Sequence, residues 1–328
     1  MDKKYLEQIF EASKKNKIFI IGDVMLDRYL LGDVTRISPE APVQVFDIRN
    51  SEYRLGGAAN VSFNVKTLGA DPFLIGVIGN DSEGKILIES LSDLSMNTSG
   101  LITEELRPTT CKTRVISDSH HLLRIDSESK NDITMETEEK ILELLEKNCD
   151  GSAIIILQDY NKGVLTKTLV KKVSEFAGKM KIRILVDPKF ENFFEFKNIY
   201  LFKPNRKELE DAFGKKIKGP DDLENFAEEL MKKLNCENII LTLGEHGMMI
   251  FENSNGKFKK EKIGTKARKV ADVSGAGDTV ISTIAVCLSG GASLRDSAII
   301  ANHAAGLVVE EVGIVPVQKD KLIENILS

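Results

Sequence analysis

The sequence contains no tryptophan, only four cysteines and only four histidines among its 328 residues. The cysteines are widely spaced, without a C-x-x-C pair or a neighbouring histidine, and the histidines show no metal-ligand spacing. This usage argues against a disulfide framework or a zinc site and predicts free thiols in a reducing compartment. The cysteines are Cys111, Cys149, Cys236 and Cys287.

Neither sign of charge is in large excess, and long apolar runs are absent. The 45 basic and 50 acidic residues leave a net charge of −5, and no basic stripe indicates a nucleic-acid partner. No apolar run reaches the ~18 residues that a membrane-spanning helix needs. The first residues, Met1–Lys4, lead into a charged amphipathic helix rather than an apolar signal core. We therefore expect a cytoplasmic protein with neither a nucleic-acid nor a membrane partner.

Common nucleotide-binding and hydrolase signatures are also missing. No G-x-G-x-x-G follows a strand, which argues against a nicotinamide-dependent dehydrogenase, and neither H-E-x-x-H nor G-x-S-x-G occurs. The segment Gly79–Lys85 has the G-x-x-x-x-G-K spacing of a P-loop, but Ile86 stands where a Mg²⁺-binding hydroxyl is needed. Asp81 and Glu83 would also repel phosphates. We interpret this segment as a turn into a helix.

Short apolar runs alternate with segments of helical period along most of the chain. Strands buried on both faces and separated by helices favour an α/β fold, with a mostly parallel central sheet and helices on both faces. The predicted strands are Ile18–Ile21, Phe73–Val77, Ala153–Leu157, Ile182–Val186, Ile199–Lys203 and Asn238–Leu243. The predicted helices include Ala58–Leu68, Glu136–Lys147, Lys167–Gly178 and Asp221–Leu234. No proline-rich linker or repeat divides the chain, so we expect one domain over residues 1–328.

Two regions break this rhythm because their apolar and polar residues alternate. One is Val43–Ile48, and the other is the pair Lys112–Ser117 and Leu122–Asp126, which flanks a polar turn at 118–121. Half-exposed strands of this kind do not suit a sheet that is buried on both faces. We therefore predict a small projecting β-sheet that acts as a lid, with strands drawn from about 33–55 and 107–127.

The strongest chemical signal is the segment Asp272–Asp278, which precedes an apolar run of helical length. Backbone N–H groups left bare at Gly275, Ala276 and Gly277 would face an anion, and the dipole of the helix would add to their field. Asp278 would then stand beside the anion, where a carboxylate can accept a proton from a hydroxyl. Together these groups suit phosphoryl transfer to an alcohol. The alternative is an ordinary glycine-rich turn capped by an aspartate.

A second glycine-rich segment, Leu55–Asn60, opens a predicted helix near the N-terminus. Its paired glycines, with Gly57 as the second, would let a ligand approach the backbone, and the amide of Asn60 can bond hydroxyl groups. Asp27 follows the first predicted strand, and ligands bind at the carboxyl ends of strands in parallel sheets. Asp27 and Asn60 could therefore clamp sugar hydroxyls. An aspartate after a strand also serves as a helix cap or turn former.

The first glycine-rich segment, extended by Gly69 and Gly79, and the second one about 200 residues later resemble the two signatures of the ribokinase-like (PfkB) carbohydrate kinases. Within that family the chain resembles the D-glycero-β-D-manno-heptose-7-phosphate kinases of the lipopolysaccharide-core pathway. The segments that carry this narrower resemblance are Gly22–Tyr29, Arg36–Val43, Asp159–Gly163, Asp187–Lys189 and Lys203–Glu208. The resemblance covers nearly the whole chain.

The resemblance implies a role for each matching residue. Asp278 would be the catalytic base, and the amides from Gly275 through Ala276 to Gly277 would form the anion hole for the moving phosphoryl group. The nucleotide-binding positions would be Asn205, Glu208, Thr242, Gly244, Gly247 and Asn302, with Glu208 ordering Mg²⁺ through water. The sugar-binding positions would be Asp27, Gly57 and Asn60. The lid would also form a homodimer contact.

For the heptose kinases, the resemblance implies ATP- and Mg²⁺-dependent phosphorylation of the anomeric O1 of D-glycero-β-D-manno-heptose 7-phosphate. A substrate that already carries a phosphate needs cations near its far end. Lys162 and Lys189 are our first candidates, and Lys112 and Arg114 on the lid are our second. Each of these lysines can equally be surface charge. The segment around Gly313 leaves a monovalent-cation site open.

The same resemblance gives one expectation about the extent of the activity and two alternatives to it. Some heptose kinases carry a C-terminal adenylyltransferase with an H-x-G-H motif, which this sequence lacks, so we expect the kinase step alone and no C-terminal nucleotidyltransferase domain. The substrate could instead be another sugar, as in ribokinase-like or phosphofructokinase-like members. The chain could also be a non-catalytic sugar or nucleotide sensor on the same fold, although Asp278, Asn205 and Glu208 argue against a decayed site.

Overall fold

A large, mostly parallel sheet forms the centre of the molecule. The computed structural model describes residues 1–118, 120–151, 153–254, 257–265 and 270–328, and within them this sheet has nine strands. In spatial order they are Lys257–Ile263 (β13), Met248–Ser254 (β12), Asn238–Thr242 (β11), Leu201–Phe202 (β10), Arg183–Asp187 (β9), Ile154–Gln158 (β8), Lys17–Gly22 (β1), Asp71–Gly79 (β4) and Leu101–Glu104 (β5). The strands from β11 to β5 are parallel, whereas β12 and β13 form an antiparallel edge hairpin.

Helices cover both faces of this sheet, which confirms the predicted fold class. One face carries Lys3–Ser13 (α1), Ala58–Thr67 (α2), Ser82–Asp93 (α3), Ala276–Ser289 (α8), Leu294–Val308 (α9) and Lys319–Leu327 (α10). The other carries Met135–Asn148 (α4), Lys167–Met180 (α5), Arg206–Phe213 (α6) and Pro220–Leu234 (α7). Successive side chains of a strand point to opposite faces, so Ile18 and Ile20 of β1 enter one core while Phe19 and Ile21 enter the other. In the described part of the chain, no helix is both long and apolar enough to cross a membrane.

Every strand and helix named from the apolar pattern is present, but the edge hairpin was not predicted. The sequence of β13, KFKKEKI, is too rich in lysine to read as a buried strand. Charged side chains are typical of edge strands, where they discourage pairing with another chain. The P-loop-like segment is a turn into a helix, as interpreted above, because Asp81 Oδ1 accepts the Gly84 N–H at 2.8 Å and caps α3.

A second, smaller sheet projects from the central one. Its four strands in the described residues are, in spatial order, Gln44–Gly57 (β3), Val24–Ile37 (β2), Cys111–Ser117 (β6) and His120–Ser127 (β7). Asp27 follows β1, as predicted, but it also lies inside the next strand, because β2 begins at Val24 rather than near residue 33. Strand β2 therefore connects the lid directly to the site. In the predicted turn, Ser119 lies outside the described residues.

Apolar side chains are exposed on the outer part of this lid sheet. They are Ile37, Val43, Ile48, Leu122, Leu123 and Ile125. Every described residue of β7 is exposed, so nothing in the described part of the chain covers this strand.

The four cysteines, all within the described residues, are free, as predicted. Three of them are buried, and burial raises the pKa of the Cys236 thiol to about 12. Thiols in such surroundings remain protonated at neutral pH and are poor nucleophiles. We therefore assign them no chemistry.

Candidate active site

A cleft of about 430 Å³ opens where three parallel strands end and one helix begins. Asp187 ends β9, Lys203 follows β10, and Thr242 ends β11, and all three line the cleft. The first turn of α8, with Gly275 and Asp278, closes it. Ligands of open parallel sheets bind at the carboxyl ends of the strands, so the topology brings these residues to one site.

The first turn of α8 has the geometry of an anion-binding helix N-terminus. Gly275 is the N-cap residue, with a φ of 78° that only glycine adopts without strain. A Cβ at this position would lie 3.2 Å from Asn60 Nδ2, so a larger residue would also press on Asn60. The Ala276 N–H donates to Val273 O at 3.3 Å, so it is not bare as predicted, because the preceding turn closes on itself.

Asp278 is 2% exposed, and three side chains donate hydrogen bonds to its carboxylate. The Tyr160 hydroxyl and Gln158 Nε2 both donate to Oδ1, at 2.7 Å and 3.1 Å, and Asn60 Nδ2 donates to Oδ2 at 2.8 Å. Burial raises the pKa of Asp278 to about 6, opposed chiefly by the Asn60 hydrogen bond. A carboxylate with this pKa is ionised at neutral pH and can accept a proton.

A buried ion pair lies beside Asp278, and sequence patterns did not single it out. Lys203 Nζ is 3.0 Å from Asp187 Oδ1, and Gln158 Nε2 donates to Asp187 Oδ2 at 3.2 Å. Lys203 is 3% exposed, and a Cβ on Gly277 would lie 3.5 Å from its Nζ. The ammonium group therefore stands against the first turn of α8. A lysine directly after an apolar strand was the available signal.

Asn205 and Glu208 form a capping box at the start of α6. Asn205 Oδ1 accepts the Glu208 N–H, and Glu208 Oε2 accepts the Asn205 N–H, each at 2.8 Å. The other carboxylate oxygen of Glu208 pairs with Lys189 Nζ. All three residues line the cleft. Helix capping thus accounts for the three-residue spacing between Asn205 and Glu208. The fold also places both side chains at the cleft.

This oxygen-rich pair fits Mg²⁺ held through water. Among the described residues, no three His, Cys, Asp or Glu side chains are grouped so that they could hold a metal ion directly. Mg²⁺ keeps several waters and usually takes one or two carboxylates together with substrate phosphates. The carboxylate of Glu208 and the amide oxygen of Asn205 suit such an outer position.

The residues predicted for the nucleotide line the same cleft. They are Thr242, Gly244, Gly247 and Asn302. Asn302 Nδ2 donates to Gly264 O at 2.6 Å, which fixes the amide at the cleft wall. Met248, Val280 and Val309 add apolar surface to that wall. The cleft thus combines an apolar side with a cationic and amide-rich floor.

The residues predicted for the sugar lie at the base of the lid. Asp27 is buried and forms an ion pair with Arg114, and the β2–β6 register sets Asp27 opposite Lys112. Burial raises the pKa of Asp27, and Arg114 opposes that shift. Gly57 has a φ of 57°, and a Cβ there would lie 2.3 Å from Asp23 O, so only glycine fits.

The structure divides the three lysines predicted to bind phosphate into two groups, and the fourth predicted cation, Arg114, pairs with Asp27. The Glu128 carboxylate accepts hydrogen bonds from Lys162 Nζ at 2.7 Å and from Lys112 Nζ at 3.1 Å, so these two lysines converge near the lid. Lys189 instead pairs with Glu208 in the cleft. The structure therefore brings Lys112 and Lys162 together but places Lys189 elsewhere.

Asp23 holds the segment that carries Lys162. Its Oδ2 accepts the N–H groups of Tyr160 at 2.7 Å and Lys162 at 3.1 Å, and its Oδ1 accepts the Val164 N–H at 3.2 Å. A buried carboxylate with three backbone donors orders a loop that has no regular secondary structure. The sequence showed only an aspartate after a strand, and it gave no sign of this long-range contact.

Comparison with known proteins identifies the family. Residues 15–320 match the model of the pfkB family of carbohydrate kinases. The chain belongs to this family. It is therefore a sugar kinase, and the resemblance drawn from the two glycine-rich segments is confirmed.

Individual relatives agree with this assignment. The bifunctional protein HldE of Desulfatibacillum aliphaticivorans is 40% identical over 306 residues, which cover 93% of this chain and 62% of that protein. The bifunctional protein HldE of Aliarcobacter butzleri is 41% identical over 312 residues, covering 95% of this chain and 64% of that protein. The chain thus spans less than two thirds of the length of these relatives.

Solved structures share the fold of this kinase. Escherichia coli phosphofructokinase-2 in complex with potassium superposes with a TM-score of 0.78 at 19% identity, covering 95% of this chain and 98% of that one. Arabidopsis thaliana ribokinase complexed with ribose and ATP gives a TM-score of 0.74 at 18% identity, with the same coverage of 95% and 98%. At these identities the likeness shows the fold alone.

Asp159 of this kinase gives a prediction about stability. Burial raises its pKa to about 7, and the charge of Asp23 adds to the shift. The Asp159 carboxyl therefore stays protonated in the folded protein up to about pH 7, whereas in the unfolded chain it loses its proton near pH 4. Its contribution to the free energy of unfolding is therefore lost as the pH rises to about 7. We expect the unfolding free energy of Asp159→Asn, minus that of the wild type, to increase between pH 4 and 8 by on the order of 3 kcal/mol. Urea unfolding across this pH range measures it, and a difference that does not change with pH would contradict it.

Proposed function

We propose that this kinase transfers the γ-phosphoryl group of ATP to the anomeric O1 of D-glycero-β-D-manno-heptose 7-phosphate. The product would be the 1,7-bisphosphate, used in ADP-heptose and lipopolysaccharide-core synthesis. The observation that carries the proposal is the place of Asp278, a buried carboxylate at the N-terminus of α8 that also lines the cleft. The choice of sugar rests on the sequence resemblance, and the identity to the HldE proteins is consistent with it.

The residues around Asp278 suit an in-line transfer. The Asp278 carboxylate takes the proton of the acceptor hydroxyl as the oxygen attacks the γ-phosphorus, and the bond from phosphorus to ADP breaks. The N–H groups of Gly275 and Gly277 and the ammonium group of Lys203 face the phosphoryl group and stabilise its charge. These donors are fixed before the reaction, which is the condition for strong electrostatic stabilisation.

Mg²⁺ and a monovalent cation complete the proposed set of ligands. When bound, Mg²⁺ would neutralise charge on the donor phosphates. Asn205 and Glu208 would orient its waters from the start of α6, and Lys189 would contact the same phosphates. Escherichia coli phosphofructokinase-2 was solved in complex with potassium. For this chain a monovalent cation stays a prediction.

Lys112 of the lid and Lys162, which follows β8, are our candidates for the 7-phosphate. Lys112 and Lys162 already converge on one carboxylate, that of Glu128, so their geometry suits a single shared anion. Both are largely buried, with side-chain exposures of 16% and 11%, which strengthens charge-assisted hydrogen bonds. Asp27 lies opposite Lys112 in the lid register and would accept hydroxyl groups of the sugar.

This assignment predicts substrate-selective damage in Lys162→Ala. Loss of one charge-assisted hydrogen bond to phosphate should lower kcat/KM for heptose 7-phosphate about 10- to 100-fold. The kcat/KM for the unphosphorylated heptose should stay within about twofold, because that sugar lacks the anion. Coupled ADP-release assays on both sugars provide the measurement.

Lys167→Ala is the matched control, since Lys167 is an exposed lysine at the start of α5 whose partner is Glu195. Equal losses for both sugars in Lys162→Ala would contradict the role in phosphate binding. A panel of sugars and sugar phosphates assayed for ATP consumption tests the substrate itself. Clear preference for a ribose or a hexose phosphate would contradict the heptose as substrate, but it would not contradict the assignment as a sugar kinase.

The lid also supports a proposed homodimer. Five of its six exposed apolar side chains, among them Ile37, Leu123 and Ile125, are more than half exposed. Large exposed apolar patches mark protein–protein contact sites. We propose a second copy of this chain as the partner, and the cytoplasm as the compartment.

A further inference from the structure

The two oxygens of the Asp278 carboxylate have different surroundings. Oδ1 accepts two hydrogen bonds, from the Tyr160 hydroxyl at 2.7 Å and from Gln158 Nε2 at 3.1 Å. Oδ2 accepts one, from Asn60 Nδ2 at 2.8 Å. A carboxylate oxygen has about two lone-pair positions, so Oδ1 is filled and Oδ2 keeps one position for a further donor.

Both the backbone and the ring of Tyr160 are held by neighbouring residues. Its N–H donates to the buried carboxylate of Asp23 at 2.7 Å, and Lys189 Nζ lies 5.4 Å from the centre of its ring. Burial and the charge of Asp278 keep the pKa of the Tyr160 phenol well above its usual value. The hydroxyl therefore stays protonated and remains a hydrogen-bond donor.

We propose that Tyr160 is a positioning residue for the base, because its hydroxyl and the Gln158 amide occupy Oδ1 and direct the acceptor hydroxyl to Oδ2. The inference rests on the proposed function of Asp278. Oδ2 takes the proton of the acceptor hydroxyl, while the Tyr160 proton stays on the phenol. Asp278 gains one proton and the acceptor oxygen loses one, so the step balances.

The same hydrogen bond stabilises the ionised form of Asp278. A donor that bonds to a carboxylate favours the charged state, so its removal raises the pKa of that carboxyl. Tyr160→Phe deletes the hydroxyl and keeps the ring against Lys189. We therefore expect the pKa of Asp278 to rise above its value of about 6.

The pH profile of kcat/KM for the sugar that the substrate panel selects tests this inference. In Tyr160→Phe we expect the acid limb to move to higher pH by about one to two units. At pH 6 kcat/KM should fall about 5- to 50-fold, with partial recovery at pH 8 or above. A uniform loss at every pH, with the acid limb unmoved, would overturn the positioning role.

Tyr200→Phe is the matched control. Tyr200 is a half-buried tyrosine that stacks with Arg183, the first residue of β9, and lies outside the site, so its variant should keep the wild-type profile. Thermal unfolding of both variants checks that the deletion of one hydroxyl leaves the fold intact.

A direct titration separates this inference from the proposed function. With aspartate labelled by ¹³C at the carboxyl carbon, the Asp278 resonance is assigned by its loss in Asp278→Asn, in protein without sugar or nucleotide. A higher titration midpoint in Tyr160→Phe supports the contact even when no tested sugar is phosphorylated, which would count against the proposed function alone. An unchanged midpoint overturns the inference whatever the substrate is.

Discussion

Asp278→Asn will lower kcat of the kinase by about 10²- to 10⁴-fold, the contribution expected of a general base. An amide cannot accept the proton of the attacking hydroxyl, and its NH₂ group would face donors such as Asn60 Nδ2. ADP release measured with saturating sugar and ATP gives the rate. ATP affinity measured by calorimetry should change much less than kcat, because the proposed role of the carboxylate is toward the acceptor hydroxyl.

The pH dependence of the wild-type enzyme provides a second test of Asp278. Since the pKa of Asp278 is raised to about 6, kcat/KM should fall as the pH drops below about 6 and the base becomes protonated. Asp320→Asn, which changes an exposed aspartate in the first turn of α10, is the control and should behave as wild type. If Asp278→Asn kept more than about a tenth of the wild-type kcat, the assignment of the base would fail.

Lys203→Met should damage both catalysis and stability. The buried ammonium group lies 3.0 Å from Asp187 Oδ1, so its loss leaves a carboxylate buried without its cation. Removing one partner of a buried ion pair costs about 3–5 kcal/mol of unfolding free energy. Loss of a preorganised cation at the phosphoryl group should also lower kcat by about 10²- to 10³-fold. Denaturant unfolding and ADP release measure the two effects.

Two further variants separate these effects. The double variant Lys203→Met/Asp187→Asn removes both charges, so it should regain much of the lost stability while kcat remains low. Lys203→Arg keeps the charge and should retain more activity than Lys203→Met. A double variant that recovered stability and kcat together would show that Lys203 acts only through its ion pair with Asp187.

Most of the central fold could be predicted from the sequence because its strands are buried on both faces. Residues such as Phe19 and Ile20 are apolar whichever core they enter, so the pattern marks the strand without any knowledge of its neighbours. The edge strand β13 escaped prediction for the opposite reason, since its exposed position favours lysine. The length of β2 also escaped, because burial changes along the strand, from its buried first four residues to its exposed last three.

The candidate site could be predicted only in part. The glycine-rich turn before α8 follows from local backbone requirements, and Gly275 has the positive φ that such a turn needs. Lys189 was grouped with Lys162 because both follow strand ends, yet the structure pairs them with Glu208 and Glu128 respectively. Strand ends indicate which edge of the sheet a residue occupies, but not which neighbour it meets.

By itself, the sequence determined the α/β class, the glycine-rich turn before α8 and the acid beside it, because each depends on residues close together in the chain. Only the tertiary structure decided which partners act on that acid. Asn60 and Asp278 are 218 positions apart, and Tyr160 and Asp278 are 118 apart, yet each pair forms a hydrogen bond. The strand order places β8 between β9 and β1, and this packing brings Gln158 and Tyr160 to Asp278. Hydrogen bonds act over about 3 Å, so the partners of the base depend on the packing of distant segments.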